Sequence, residues 1–210
     1  MQYFGSIYSY LSLLNNSIYP FSLSEPYNKA SEMNRMWLMG ANKIISLSIP
    51  VQGGRNNRQP LKDLRIADDK SWLRVHWRTI HDSYRKSPWF EEYHDSLQKL
   101  YQAHHEFLWQ WNLQCTKWVF HHIKELNAKL TEIDQAAKPV KESLYSGSPT
   151  TDCSSDYPTY FQVFADRHGF VANLSILDLL MNEGPMSHEY LQRLYLYKYQ
   201  STTKNEAGIL

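Results

Sequence analysis

No stretch of the 210 residues approaches the roughly 18 to 20 consecutive apolar side chains that span a bilayer, so no membrane span is expected. The opening MQYFGSIYSYLSLLNN has no basic residue ahead of its apolar part and no small-residue cleavage site. It does not read as a secretion signal, and the chain is expected to be cytoplasmic. Only two cysteines occur, Cys115 and Cys153, with no C-x-x-C, which supports neither a disulfide framework nor a cysteine zinc site; free thiols are expected. Charge of one sign is also lacking. Lys and Arg number 22 against 21 Asp and Glu, a net charge of +1, so no long-range field draws in nucleic acid or an anionic membrane. No G-x-S-x-G elbow, dinucleotide fingerprint or P-loop is present, and neither a cofactor nor a metal is expected.

What the chain does hold is a globular composition: 42% apolar residues, 20% charged, with 15 Tyr, 8 Phe and 7 Trp. Its length fits one domain with a substantial core. Residues 3 to 14 space Phe4, Ile7, Leu11 and Leu14 as a helix does, with Asn15-Asn16-Ser17 as the stop. Shorter apolar runs follow at Ile18 to Leu23, Arg35 to Met39, Ile44 to Val51 and Leu64 to Ile66, read as strands between turn residues. Ile45, Leu47 and Ile49 alternate with Ser46 and Ser48, as a half-buried strand requires. From residue 71 the period becomes helical: Ser71 as N-cap, Leu73, Trp77, Ile80 and Tyr84 as the stripe, Ser87-Pro88 as the stop. A longer pattern from 93 to 127 predicts one helix or a kinked pair, and residues 138 to 156 read as a mobile loop leaving Cys153 exposed. Asn173 as N-cap, a helix over 174 to 183, then Gly184 and Pro185 form the sharpest boundary signature, followed by a helix from Ser187 to about Lys198 and a frayed tail. The expected fold is α+β: a single domain over 1 to 198 with a small mixed or antiparallel sheet from the first third packed on several helices, or alternatively a three-layer α/β arrangement.

Three groups of polar residues stand out. On helix 174 to 183, Ser175, Asp178 and Asn182 fall in one strip of an otherwise apolar surface. That strip is either the solvent face or cap of a buried helix, or the polar wall of a cavity in which Asp178 is a base or hydroxyl anchor. The stretch 52 to 65 gathers Arg55, Arg58, Lys62 and Arg65 around Gly53-Gly54, either an exposed charged loop or a phosphate or carboxylate cradle. His76 lies among Trp72, Trp77 and Ile80, either a structural ring or a base with a shifted pKa. His104-His105 and His121-His122 read as surface or core-edge histidines, and His122 with Glu125 is a single pair at metal-ligand spacing without a second.

Tyr3-Phe4, Lys29, Asn34-Arg35, Leu47-Ser48-Ile49-Pro50-Val51, Leu61-Lys62-Asp63-Leu64-Arg65-Ile66, the Trp72…His76-Trp77…Tyr84…Pro88 helix, Gln162-Val163-Phe164 and Gly169-Phe170…Asn173 to Pro185 together resemble the WbqC-like family over about residues 3 to 185. That family is named from a polysaccharide (O-antigen) gene cluster, and the resemblance implies a bacterial cytoplasmic protein that makes or decorates an activated sugar. It also implies a short apolar strand and a Pro in the motif that here reads Tyr3-Phe4-Gly5; with Gly5 at the Pro position, a missing first strand is the expectation. The polar positions that match its motifs are Lys29, Asn34, Arg35, Lys62, Asp63, Arg65, His76, Tyr84, Asp178, Asn182 and Glu183.

These divide into a cationic set for a pyrophosphate or carboxylate, namely Lys29, Arg35, Lys62 and Arg65, and a second set in which Asp178 and His76 are catalytic and Asn34, Tyr84 and Asn182 bind the ligand. The expected activity is that of a transferase-like enzyme on a nucleotide-linked or amino sugar. The rival is a non-catalytic binding or assembly module of the same pathway, suggested by the Trp and Tyr content. The expected partner is a small-molecule substrate, such as a nucleotide sugar, and a homo-oligomer is compatible with the sequence. Nucleic acid is not expected as a partner.

Overall fold

The computed structural model describes residues 2–15, 23–24, 26–28, 32–53, 59–123, 126 and 148–207. Of the expected strand Ile18 to Leu23 all but Leu23, which lies in a turn, the residues Lys29, Arg55, Arg58 and Glu125, and positions 138–147 of the expected loop 138 to 156 lie outside them. Within them the chain forms α1 (Ile7–Asn15), β1 (Arg35–Met39), β2 (Ile44–Ser48), α2 (Ser71–Tyr84), α3 (Phe90–Gln102), α4 (Leu108–His122), the short α5 (Ala165–His168), α6 (Ile176–Glu183) and α7 (Ser187–Ala207). One antiparallel hairpin packed on helices makes this a single α+β domain, the first of the two expected architectures.

The hairpin sets Arg35 opposite Ser48 and Met39 opposite Ile44. Leu47 and Ile49 are buried while Ser46 and Ser48 are exposed, so the period-two pattern does decide which face turns inward. Leu64 to Ile66 is not a strand. Arg65 and Ile66 make only isolated bridges, to Phe107 and Val51, because the preceding Leu61–Asp63 forms a 3-10 turn. The long pattern resolves as the kinked pair α3 and α4. The break falls at Ala103, where the backbone turns extended.

On α2 the buried face is Trp72, His76, Ile80, Ser83 and Tyr84, while Leu73 and Trp77 are half-buried, so the stripe is rotated from the one read in the sequence. Ser71 is not the cap either. Lys70 takes that position, and the Asp69 carboxylate accepts from the Ser71 amide and hydroxyl, each at 2.8 Å.

Short α6 lies at the centre, in contact with α1, α3, β1 and α7. Its N-cap is Ser175, whose hydroxyl accepts from the Leu177 amide and donates to the Phe4 carbonyl at 2.6 Å. Asn173, expected as the cap, sits at φ 60 and accepts from the Tyr8 amide instead. At the other end Gly184 has φ 54, and a Cβ there would come within 2.3 Å of the Trp89 indole. Gly184→Ala therefore combines left-handed strain with a rigid clash and is expected to cost about 2–3 kcal/mol, read as a lowered Tm. α7 continues to Ala207, past the expected end near Lys198. No helix among the described residues is long and apolar enough to cross a membrane. Both cysteines are free, Cys115 buried and Cys153 partly buried rather than exposed.

Candidate functional site

The strip on α6 faces neither solvent nor an open cavity. Ser175, Asp178 and Asn182 are all buried, because α6 is covered on the polar side as well as the apolar one. Asp178 is 1% exposed, and its carboxylate is held from two directions. Tyr84, at the end of α2, donates its hydroxyl to Oδ1 at 2.8 Å. Tyr160 donates to Oδ2 at 2.6 Å, and Gln162 Nε2 adds a contact at 3.2 Å to the same oxygen. Gln162 is itself fixed by both backbone groups of Val171, and Asn182 donates to the Asp178 backbone carbonyl at 2.7 Å. Among the described residues no cation reaches this carboxylate. Burial pushes its pKa up to about 6, against the opposing effect of the Tyr160, Tyr84, Gln162 and Asn182 hydrogen bonds. The carboxylate in turn holds the Tyr84 and Tyr160 hydroxyls, already raised by burial, protonated as donors.

His76 occupies a second buried centre. Tyr101 and Tyr3 share a hydrogen bond of 2.6 Å, and the Tyr3 hydroxyl lies 2.9 Å from His76 Nδ1. A further bond with the Ser48 backbone partly offsets the burial that lowers the His76 pKa to about 4, so the ring is neutral at physiological pH. Trp72 and Tyr3 pack on it with ring centroids 5.1 and 5.7 Å away.

The structure thus brings Asp178 and Asn182 together, adds Tyr84 to them, and sets His76, expected at the same end, in the separate centre with Tyr3 and Tyr101. Arg35, Lys62 and Arg65 make no contact with Asp178, and Lys29 lies outside the described residues. Arg35 lies over the Trp37 ring and donates to the Ser48 hydroxyl across the hairpin. Arg65 pairs with Glu106 and covers Phe107. Lys62 is exposed on its 3-10 turn. Asn34 is buried, with Nδ2 donating to the Ile49 carbonyl at 2.8 Å. Glu183 accepts from the Phe161 amide.

Tyr160, Gln162, Tyr3 and Tyr101 complete the two centres and were not among the residues singled out by chemistry. Gln162 carried a signal within its motif. Tyr160, two residues earlier on the same side of an extended segment, could have been inferred from it.

A family model matches residues 18–144 and is described as the WbqC-like protein family. The chain belongs to that family. The match takes in β1, β2, α2, α3 and α4, hence His76, Tyr84 and Tyr101 from the two centres, whereas Tyr3, Tyr160, Gln162, Asp178 and Asn182 lie outside it. Comparison with curated proteins and with solved structures finds no match to this WbqC-like chain.

Proposed function

We propose that the protein is a transferase-like enzyme of bacterial surface-polysaccharide (O-antigen-type) assembly, working in the cytoplasm on a nucleotide-linked or amino sugar. Asp178 takes the proton from the hydroxyl or amine that attacks, and the Tyr84 and Tyr160 hydroxyls hold the carboxylate in register. One observation carries this: a buried carboxylate with no cation beside it among the described residues and a pKa near 6, a group poised to accept a proton near neutral pH. Tyr160 and Gln162 belong to a segment without regular secondary structure, so access to Asp178 needs that cover to lift. His76, neutral and hydrogen-bonded, positions Tyr3 and Tyr101 rather than exchanging protons with substrate.

A second reading, a non-catalytic module of the same pathway, draws on the separation of Arg35 and Arg65 from Asp178. The two part on one experiment: titration calorimetry and a transfer assay with nucleotide sugars, on wild type and Asp178→Asn. The enzyme predicts turnover in the wild type, and in the variant binding within about threefold of wild type and turnover down about 100-fold or more. A wild type that binds sugar without transferring it makes the protein a module. Undiminished turnover in the variant removes Asp178 from the chemistry.

A further inference from the structure

A small cavity of about 10 Å³ lies between the start of α2 and the junction of α3 and α4, lined in part by Lys70, Trp72, Ala103, His104, His105 and Trp111. Its volume admits one water-sized centre. Two polar atoms on residues that line it are buried and have no hydrogen-bond partner: the indole Nε1 of Trp111 and Nε2 of His105. Trp111 is 1% exposed, and its ring is fixed by near-perpendicular contacts with Trp72 and Tyr101 at 5.2 Å and with His105 at 5.8 Å. An indole N–H can only donate, so a buried one requires an acceptor atom, and among the described residues none is supplied.

The lining defines which acceptor fits. It carries Lys70 and two histidines and no carboxylate. The nearest acidic groups along the chain are engaged elsewhere, Asp68 with Gln52, Asp69 with Ser71 and Glu106 with Arg65. Trp72 and Leu73 place the cavity against the first turn of the 14-residue α2, whose dipole favours negative charge. Asp69 already occupies part of that helix end, so the helix does not make the site by itself. The unpartnered indole does. We propose that the cavity binds one oxygen of a small oxyanion, a carboxylate or a phosphate, with Trp111 Nε1 and His105 Nε2 as donors and Lys70 supplying charge at the mouth. This site stands apart from Asp178 and does not depend on its role.

The test is a titration of the full ¹⁵N-labelled chain with acetate and, separately, inorganic phosphate, at constant ionic strength, following the Trp111 indole N–H resonance assigned with Trp111→Phe. A saturable shift of that resonance is expected with one anion at least, and the anion that gives the tighter binding identifies the group. Trp111→Phe is expected to weaken binding about tenfold or more, a hydrogen bond to a charged group being lost. Lys70→Ala, an exposed change that cannot disturb the core, is expected to weaken it about threefold. An indole resonance unmoved by either anion would leave the cavity to an ordered water and overturn the proposal, as would a Lys70→Ala and a Trp111→Phe that both bind like the wild type.

Discussion

Asp178→Ala is expected to destabilise the protein by about 2–3 kcal/mol at pH 7 and by about 2.4 kcal/mol more at pH 4. The neutral-pH loss comes from the Tyr84 and Tyr160 hydroxyls, left buried without the acceptor they donate to, each costing about 1–3 kcal/mol. It is reduced because the substitution also removes a charge whose burial is unfavourable. The pH dependence follows from the carboxyl titrating at about 6 in the fold against an ordinary value of 3.8. Between these values the folded state holds a proton that the unfolded state has released. The associated stability is fully present below pH 3.8 and lost as pH rises through 6, about 3 kcal/mol in all. The alanine variant lacks that term, so the difference from wild type must widen on acidification. Urea unfolding of both proteins between pH 4 and 7 measures it. A constant difference would show that Asp178 titrates like an exposed carboxyl.

His76→Gln is expected to do the reverse. His76 titrates at about 4 in the fold against 6.5 when unfolded, so its contribution is complete above pH 6.5 and lost as pH falls through 4, again about 3 kcal/mol. At pH 7 the variant gives up the bond to Tyr3 and the ring packing against Trp72, about 2 kcal/mol. At pH 4 it no longer has to charge a buried imidazole, and it is expected to match or exceed the wild type. In the wild type the two centres oppose each other across the same pH window, and each variant exposes the other. His122, also lowered to about 4 by burial but half-buried, adds a smaller loss in acid that both proteins share. Parallel wild-type and His76→Gln stability curves from pH 4 to 7 would contradict this assignment.

The sequence made the hairpin legible because turn residues at Gly40-Ala41-Asn42 and the alternation from Ile45 to Ile49 are local signals, and the family resemblance rested on similar short motifs. Asp178 and Asn182 were legible as polar residues interrupting an apolar helix, Tyr84 only through the family motif, and the three meet. What local signals could not supply was the surroundings. The α6 strip reads as a solvent face by periodicity, and it is buried because elements distant in sequence cover it, Tyr84 from α2 and Tyr160 with Gln162 among them. The same holds for Arg65: Glu106 lies far along the chain from it, and the pairing engages a guanidinium that composition left free. Capping went astray twice, at Ser71 and Asn173, because the residue that caps a helix depends on where neighbouring backbone runs. Asp69 and Ser175 are set by contacts that the hydrophobic period does not encode.

The account rests on a carboxylate kept from water and from any positive neighbour, and the direct measurement is the ¹³C chemical shift of the Asp178 carboxyl followed from pH 3 to 8 in the intact protein. A midpoint near 6 is the expected result. A midpoint at or below 4 would mean that water or a cation reaches the group, and neither the proton-acceptor role nor the opposed pH dependences would stand.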